Sequence, residues 1–200
     1  MANRSCKLVV LGDSGVGKTT LIHKYVNNEF RADFKSTIGA DFTAKEIVVE
    51  NNYKIDLQIW DTAGEIRFHS VGAAFYRGTD ACIIVYDVTS RESFNRIKMW
   101  QDDLYTKSGV DDTANFPLIV FGNKKDLDDK REVTYEEASQ WSKANRIPVL
   151  EVSAKSGENI EVGFQNIIKI FMEIQNEKNK MQEPISIKLT ADKEGERSCC

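Results

Sequence analysis

A glycine-rich loop near the start of the sequence combines the residue types that hold phosphate groups. Residues 12–19 read Gly-Asp-Ser-Gly-Val-Gly-Lys-Thr, which matches the pattern G-x-x-x-x-G-K-[ST]. Glycines let backbone N–H groups turn toward phosphate oxygens, and a helix that begins at the loop adds its positive N-terminal end. Lys18 would then reach the β and γ phosphates, and the Thr19 hydroxyl would bind Mg²⁺. The loop therefore predicts a nucleoside triphosphate site.

A carboxylate for the same ion follows another predicted strand. Asp61 comes directly after the run Ile55 to Trp60, and Thr62-Ala63-Gly64 continues the chain. An aspartate at a strand end is also common as a turn or cap residue, so its place beside the phosphate loop is what favours the magnesium role. The Gly64 N–H would contact a γ-phosphate, because this residue has no side chain in the way.

The choice of base depends on a third segment. Asn123-Lys124-Lys125-Asp126 follows the apolar run Leu118 to Phe121, at the strand end where α/β folds bind ligands. The Asp126 carboxylate can accept both the N1–H and the 2-amino hydrogen of guanine, a match that adenine lacks. A capped turn is the other interpretation of Asp126. An ATP-using phosphotransferase stays as an alternative that this residue weakens.

The elements that must position these residues alternate between strand and helix. Four nearly continuous apolar runs are typical of parallel strands covered on both faces: Leu8 to Leu11, Ala81 to Tyr86, Leu118 to Phe121 and Val149 to Val152. Asn51-Asn52 separates two more strands, Thr43 to Glu50 and Tyr53 to Trp60, and predicts a hairpin. The pattern indicates a three-layer α/β fold with one antiparallel edge strand.

Helices are predicted between the strands, beginning with residues 20–26 after the phosphate loop. Thr134-x-x-Glu137 and Thr89-x-x-Glu92 are capping boxes. An amphipathic stripe that fits core packing then runs through Ile160, Phe164, Ile167, Ile168, Phe171 and Ile174. Residues 176–200 lose this pattern, so we expect a domain over 1–175 and a flexible tail over 176–200.

Composition excludes several classes of protein. The 200 residues include 27 Lys and Arg against 31 Asp and Glu, without the basic excess that nucleic-acid binding usually needs. The four cysteines form no C-x-x-C pair, which leaves a zinc site unsupported. No apolar run reaches the roughly 20 residues of a membrane span, and the first is too short for a signal peptide. We expect a cytosolic chain that does not bind nucleic acid.

Taken together and in order, these motifs resemble the Ras superfamily of small GTPases over residues 6–175. Four further segments are most similar to the Rab family: residues 36–42, residues 60–64, residues 75–78 and the terminal Cys199-Cys200. Residues 38–42 and 183–189 look like the late-endosomal and lysosomal branch. The resemblance implies a monomeric GTP/GDP switch with a P-loop G domain. Its sheet would have six strands, mostly parallel with one antiparallel, and helices on both faces.

The resemblance also implies roles for individual residues. Thr37 would bind Mg²⁺ and the γ-phosphate, Phe30 would stack on guanine, and Phe34 would cover the nucleotide. The expected nucleotide site comprises Asp13, Ser14, Gly15, Val16, Gly17, Lys18, Thr19, Thr20, Phe30, Phe34, Thr37, Gly64, Asn123, Lys124, Asp126, Ser153, Ala154 and Lys155. The expected magnesium ligands are Thr19, Thr37 and Asp61, and the catalytic residues are Lys18, Thr37, Gly64 and Glu65. Phe42, Trp60 and Phe75 match an effector-binding triad, although Trp60 on a half-buried strand fits a core role equally well.

One position departs from the family pattern. Glu65-Ile66-Arg67-Phe68 stands where the family has Gln-Glu-Arg-Phe. The usual Gln orients the attacking water, whereas an ionised Glu65 accepts a proton but cannot donate, and it repels phosphate oxygens. A carboxylate is also the stronger proton acceptor, so the sign of the effect stays open. The alternative to slow GTP hydrolysis is a pseudo-GTPase that holds GTP.

The terminal cysteines resemble the double-cysteine prenylation site of Rab proteins. Cys199 and Cys200 are not a C-a-a-X motif, and two ordinary thiols are the other interpretation. The tail is charge-neutral, so stable attachment would need two lipid chains. The resemblance further implies effectors, an exchange factor, an activating protein, a prenylation escort and a GDI-type chaperone. It places the chain on the cytosolic face of endocytic membranes, cycling with the cytosol.

Overall fold

The computed structural model describes residues 4–31, 36–49, 53–64 and 75–182. Six strands form one sheet in the order β2-β3-β1-β4-β5-β6. Only β2 runs antiparallel to its neighbour, which confirms the predicted sheet. The Asn51-Asn52 turn lies outside the described residues. The strands are β1 (Arg4–Leu11), β2 (Ala40–Val49), β3 (Tyr53–Thr62), β4 (Ala81–Asp87), β5 (Leu118–Asn123) and β6 (Val149–Glu151).

Helices cover both faces of this sheet, because the central strands are apolar on both sides. In β1, Leu8 and Val10 belong to one buried cluster, and Val9 and Leu11 belong to the other. The first cluster includes residues of α1 and α5, and the second includes residues of α2, α3 and α4. The described helices are α1 (Lys18–Asn27), α2 (Arg91–Asn95), α3 (Ile97–Ser108), α4 (Tyr135–Asn145) and α5 (Ile160–Gln182), with a 3₁₀ segment over Lys125–Lys130.

Helix α5 carries the predicted apolar stripe, and Phe164 and Ile167 are fully buried in it. The described part of the helix extends to Gln182, past residue 175, and the predicted boundary between domain and tail stays a prediction. Intrahelical hydrogen bonds continue a helix past the last residue that packs on the core. Within the described part of the chain, no helix has the length and apolar character to cross a bilayer.

The two predicted capping boxes have different outcomes. Thr134 caps α4, and its hydroxyl accepts a hydrogen bond from the Glu137 N–H at 3.2 Å, as predicted. The prediction for Thr89 is wrong, because Ser90 caps α2. The Thr89 hydroxyl and N–H both donate to the Asp87 carboxylate, at 2.7 and 2.8 Å, which holds Thr89 at the strand end.

The cap of α4 gives a stability prediction. Thr134→Ala should lower the free energy of unfolding by about 1 kcal/mol, because it leaves an N–H group of the first helical turn without its acceptor. Urea unfolding followed by circular dichroism measures the change. Thr106→Ala, at an exposed position inside α3, is the control and should stay within about 0.5 kcal/mol of the parent. Equal losses in the two variants would contradict the capping role.

Candidate functional site

A cavity of about 390 Å³ lies at the carboxyl edge of the parallel strands. The loop after β1, the end of β3 and the loop after β5 meet there, as expected for a ligand site in an α/β sheet. The cavity brings together most of the predicted nucleotide residues: Ser14, Gly15, Gly17, Lys18, Thr19, Thr20, Phe30, Thr37, Gly64, Asn123, Lys124, Asp126, Ala154 and Lys155. Sequence reasoning missed Arg31, Ser36 and Leu127, each of which directly follows or precedes a predicted residue.

The phosphate loop requires glycine at two of its positions. Gly12 has φ +137°, and a Cβ there would lie 2.1 Å from the Val85 carbonyl oxygen. Gly17 has φ +94°, and a Cβ there would lie 2.5 Å from Nδ2 of Asn123. Both conformations are strained for any other residue, and both sites lack space for a side chain. The loop ends where α1 begins at Lys18, so the N-terminal end of that helix faces the cavity.

The Lys18 ammonium lies on the floor of this cavity. Only 6% of the residue is exposed, and Nζ donates hydrogen bonds to the carbonyl oxygens of Gly12 and Asp13, at 2.7 and 2.9 Å. Burial lowers the pKa of Lys18 to about 8, and the charges of Asp61 and Asp13 offset part of this effect. A phosphate group beside the ammonium would favour the charged form. Lys18 is therefore suited to bind an anion.

Three side-chain oxygens converge next to this lysine. The Thr19 hydroxyl donates to Oδ2 of Asp61 at 2.5 Å, and the Thr19 and Thr37 hydroxyl oxygens are 2.9 Å apart. Oδ1 of Asp61 is buried without a hydrogen-bond partner among the described residues. Burial raises the pKa of this carboxyl group. One carboxylate and two hydroxyls are hard oxygen donors that fit Mg²⁺, which keeps several waters or phosphate oxygens as its other ligands.

The predicted magnesium site contains one acidic side chain, that of Asp61. Among the residues that the structure describes, no group of three or more His, Cys, Asp and Glu side chains is placed to hold a metal ion. A site for magnesium bound to phosphates does not need such a group, because the phosphates supply further oxygens. The unpartnered Oδ1 of Asp61 is the observation that supports the fit.

Another part of the cavity wall is organised by Asn123 and Asp126. The Asn123 amide donates to the Val16 carbonyl at 2.8 Å and accepts from the Ala154 N–H at 3.0 Å, so it joins two loops. The Ser153 hydroxyl donates to Oδ1 of Asp126 at 2.6 Å, which fixes the carboxylate. The N–H of Ala154, one of the predicted nucleotide-site residues, donates to Asn123 in this structure.

Some predicted residues lie elsewhere. Val16 and Ser153 are buried behind the cavity wall and act through the contacts just described. The Asp13 carboxylate faces α3, where it binds Trp100 and Arg96. Phe34 and Glu65, predicted to cover the nucleotide and to act in hydrolysis, lie outside the described residues, as do Cys199 and Cys200.

Sequence reasoning also missed Asp87, which ends β4. Oδ2 of this buried carboxylate lies 2.6 Å from Nζ of Lys124, a residue that lines the cavity. Lys124 has φ +65°, an uncommon conformation for a residue other than glycine. The ion pair with Asp87 holds its side chain in place at this turn of the backbone. The sequence signal that could have identified Asp87 is its place as an acidic residue at the carboxyl end of a buried strand.

The predicted aromatic triad is a continuous cluster. The Trp60 ring centroid lies 5.3 Å from that of Phe42 and 5.8 Å from that of Phe75. Phe42 is 48% exposed, whereas Trp60 and Phe75 are half-buried and pack against the core. Trp60 packs on the core, as one of the two interpretations predicted, and it also touches the exposed Phe42 ring; its effector role stays a prediction.

Comparison with known proteins gives the family. A model described as "Ras family" matches residues 7–173. The chain belongs to the Ras family. "Ras-related protein Rab7" of Drosophila melanogaster is 49% identical over 172 residues, which cover 86% of this chain and 82% of the relative. "Ras-related protein Rab-7a" of Dictyostelium discoideum is 45% identical, covering 85% and 84%. "Ras-related protein Rab7" of Cenchrus ciliaris is 44% identical, covering 97% and 96%.

These relatives confirm the resemblance to the Rab family and to the branch indicated by residues 38–42. As a Ras-family small GTPase, the chain hydrolyses GTP to GDP and phosphate. The Ras-family match spans β1 to α5, so it includes every strand and helix that borders the cavity.

Proposed function

We propose that this small GTPase is a Mg²⁺-dependent GTP/GDP switch that hydrolyses GTP slowly and recruits effectors to a late endocytic membrane. The observation that carries the proposal is a single cavity that is lined by Lys18 and the phosphate loop and also by Asp126. A cavity lined by a buried cation and by a separate carboxylate suits a ligand that carries both a polyphosphate and a guanine. The resemblance to the Rab family supplies the membrane role.

In this proposal, Thr19, Asp61 and Thr37 would hold the magnesium ion, which would supply positive charge beside the phosphate oxygens. Lys18 adds a second positive charge, and the backbone of residues 13–19 supplies N–H donors. Phe30 lines the cavity and is 43% exposed, which leaves a ring face for stacking on the base.

The same residues provide the switch. Thr37 belongs to the loop before β2, and its hydroxyl is within hydrogen-bond distance of Thr19 and Asp61. Contacts of Thr37 with the ion and the γ-phosphate would be lost on hydrolysis, which releases that loop. Phe42 in β2 follows the loop and touches Trp60, which supports a role for the aromatic cluster in reporting the state of the loop to effectors.

Competition between nucleotides tests the proposed ligand. Fluorescent GDP should bind the chain with Mg²⁺ present, and unlabelled GTP should displace it at concentrations far below those of ATP. EDTA should speed its release. Displacement by ATP at the same concentration as GTP would support the phosphotransferase alternative and contradict the proposal.

Slow hydrolysis is proposed from the chemistry of Glu65. An ionised carboxylate cannot donate a hydrogen bond to the transferring phosphoryl group, and its charge opposes that of the phosphate oxygens. The second candidate function is that of a pseudo-GTPase, and the presence of Glu65 in place of the family's Gln also favours it. Single-turnover phosphate release, with and without an activating protein, separates them, because a pseudo-GTPase releases no phosphate under either condition.

Glu65→Gln should raise the single-turnover rate of GTP hydrolysis by about tenfold or more. The amide restores a donor and removes a negative charge, and one such donor is worth a factor of about 100 or more in other active sites. Phosphate release from GTP-loaded protein measures the rate. Glu173→Gln, an exposed substitution on α5, is the control. A lower rate in Glu65→Gln would show instead that the carboxylate acts as a proton acceptor.

Membrane attachment is proposed through prenylation of Cys199 and Cys200. Two chains are needed, because one lipid anchors only marginally without a basic patch. The double variant Cys199→Ser/Cys200→Ser should move most of the cellular protein from the membrane fraction to the cytosol, whereas Ser198→Ala should not. Equal membrane fractions for the parent and the double variant would contradict the lipid anchor.

The proposed partners follow from this anchored cycle. Effectors would bind the GTP form, an exchange factor would replace GDP, and an activating protein would speed hydrolysis. A prenylation escort would deliver the lipids, and a GDI-type chaperone would carry the chain through the cytosol as a monomer. The similarity to Rab7 proteins supports placement at late endosomes and lysosomes.

A further inference from the structure

The Asp13 carboxylate connects the phosphate loop to helix α3. Its Oδ1 accepts a hydrogen bond from Nε1 of Trp100 at 2.8 Å, and its Oδ2 accepts one from Nη1 of Arg96 at 3.1 Å. Asp13 is 9% exposed and Trp100 is 1% exposed, so water competes weakly for these contacts. The residues are 83 and 87 positions apart in sequence, and the contacts therefore join two separate parts of the fold.

We propose that Asp13 is a positioning residue that fastens the phosphate loop to α3 through Trp100 and Arg96, and that this attachment slows nucleotide release. The inference rests on the proposed binding of GTP and GDP. It gives the Asp13 side chain a role other than contact with the nucleotide. It also makes the junction of α2 and α3 part of the machinery that retains the ligand.

The backbone of Asp13 explains how the attachment would reach the ligand. Its carbonyl oxygen accepts one of the hydrogen bonds from Lys18 Nζ, so a shift of Asp13 moves an anchor of the phosphate-binding ammonium. The next N–H, that of Ser14, donates to the Gly64 carbonyl at 3.0 Å. A Cβ on Gly64 would lie 2.3 Å from the Ser14 nitrogen, so the two loops are in close contact. Moving Asp13 therefore disturbs Lys18 and Gly64 together.

The other end of the attachment is firmly placed. Trp100 is buried in the core cluster beside Ile97 and Leu104. Arg96 ends α2 and precedes α3, and its guanidinium also pairs with Glu92 one turn earlier. Arg96 is about one-third exposed, so it can be changed without opening a cavity in the core. Because donors from Trp100 and Arg96 bind the same carboxylate, the phosphate loop has a defined position relative to α3.

Rates of GDP release from the full chain, measured with a fluorescent nucleotide at 20 °C, test the inference. Arg96→Gln removes the ion pair, and Asp13→Ala removes both contacts. We expect severalfold faster release in Arg96→Gln and at least about tenfold faster release in Asp13→Ala. Phosphorus NMR of bound GDP should show shifted phosphate resonances in the same order. Asp126-dependent preference for guanine should be unchanged, because the base end of the cavity is untouched.

Two controls separate positioning from general stability. Lys98→Gln removes an exposed ion pair of α3, that with Asp102, and should release GDP at the parent rate. Leu104→Ala weakens the packing of α3 without contact to Asp13, and we expect it to lower the melting temperature without matching the release rate of Asp13→Ala. Parent-like release and phosphate resonances in both Asp13→Ala and Arg96→Gln would overturn the inference. So would equally fast release in Leu104→Ala. Failure of the parent chain to bind GDP would instead contradict the proposed function.

Discussion

Replacing Asp126 with Asn should move the base preference of the chain from guanine to xanthine nucleotides. In the proposed site the carboxylate would accept two hydrogens from guanine, whereas an amide offers one acceptor and one donor. Xanthine has a carbonyl where guanine has the 2-amino group, so the amide matches it. We expect GDP affinity to fall by about 100-fold or more, since a mismatched polar pair also leaves buried groups unpaired. Competition of GDP and XDP against a fluorescent nucleotide measures both affinities.

Asp129→Asn is the matched control for this substitution. Asp129 lies in the same 3₁₀ segment and is exposed, and it is absent from the cavity wall. Its substitution should leave both affinities within about twofold of the parent values. If Asp126→Asn kept the guanine preference, the carboxylate would be only a turn residue, and the assignment of the base would lose its main support.

Removal of the Lys18 ammonium should have the other large effect. Lys18→Ala deletes a buried cation that would bind two phosphates in the proposed site, and hydrogen bonds to charged groups are worth about 1.5–3 kcal/mol each. We expect nucleotide affinity to fall by about a thousandfold, with loss of both GDP and GTP binding. Equilibrium binding of fluorescent GDP, extended to millimolar nucleotide, measures the loss.

Lys24→Ala provides the control, because Lys24 lies on the same helix and donates to the Asn28 carbonyl near the helix end, away from the cavity. Its nucleotide affinity should equal that of the parent. Circular dichroism shows whether Lys18→Ala is folded, since the substitution also removes the donor to two buried carbonyl oxygens. A folded Lys18→Ala protein with parent-like affinity would contradict the phosphate role of this loop.

Sequence patterns predicted the sheet well, because burial on both faces leaves a strong local signal. Val9 and Leu11 face one layer and Leu8 and Val10 the other, so the whole run must be apolar. The phosphate loop was predictable for a related reason: its glycines are required by backbone geometry at fixed positions. In both cases the residues that produce the sequence signal lie within a few positions of one another.

Contacts between distant residues were not predictable in the same way. One local choice was missed as well, because two neighbouring hydroxyls compete for the cap: Asp87 binds Thr89, and Ser90 caps α2. The partners of Asp13 lie in α3 and directly before it, and Lys124 is held by Asp87 from another strand. Each of these side chains is polar and has several possible partners. Only the folded arrangement selects among them.

The most direct test of the central claim is the mass of the nucleotide released when the purified chain is denatured. Protein purified with Mg²⁺ present should release GDP or GTP in a ratio near one molecule per chain. That result would identify both the base and the number of phosphates bound in the cavity. Release of ATP or ADP, or a chain that carries no nucleotide and does not take up GDP with Mg²⁺, would contradict the account.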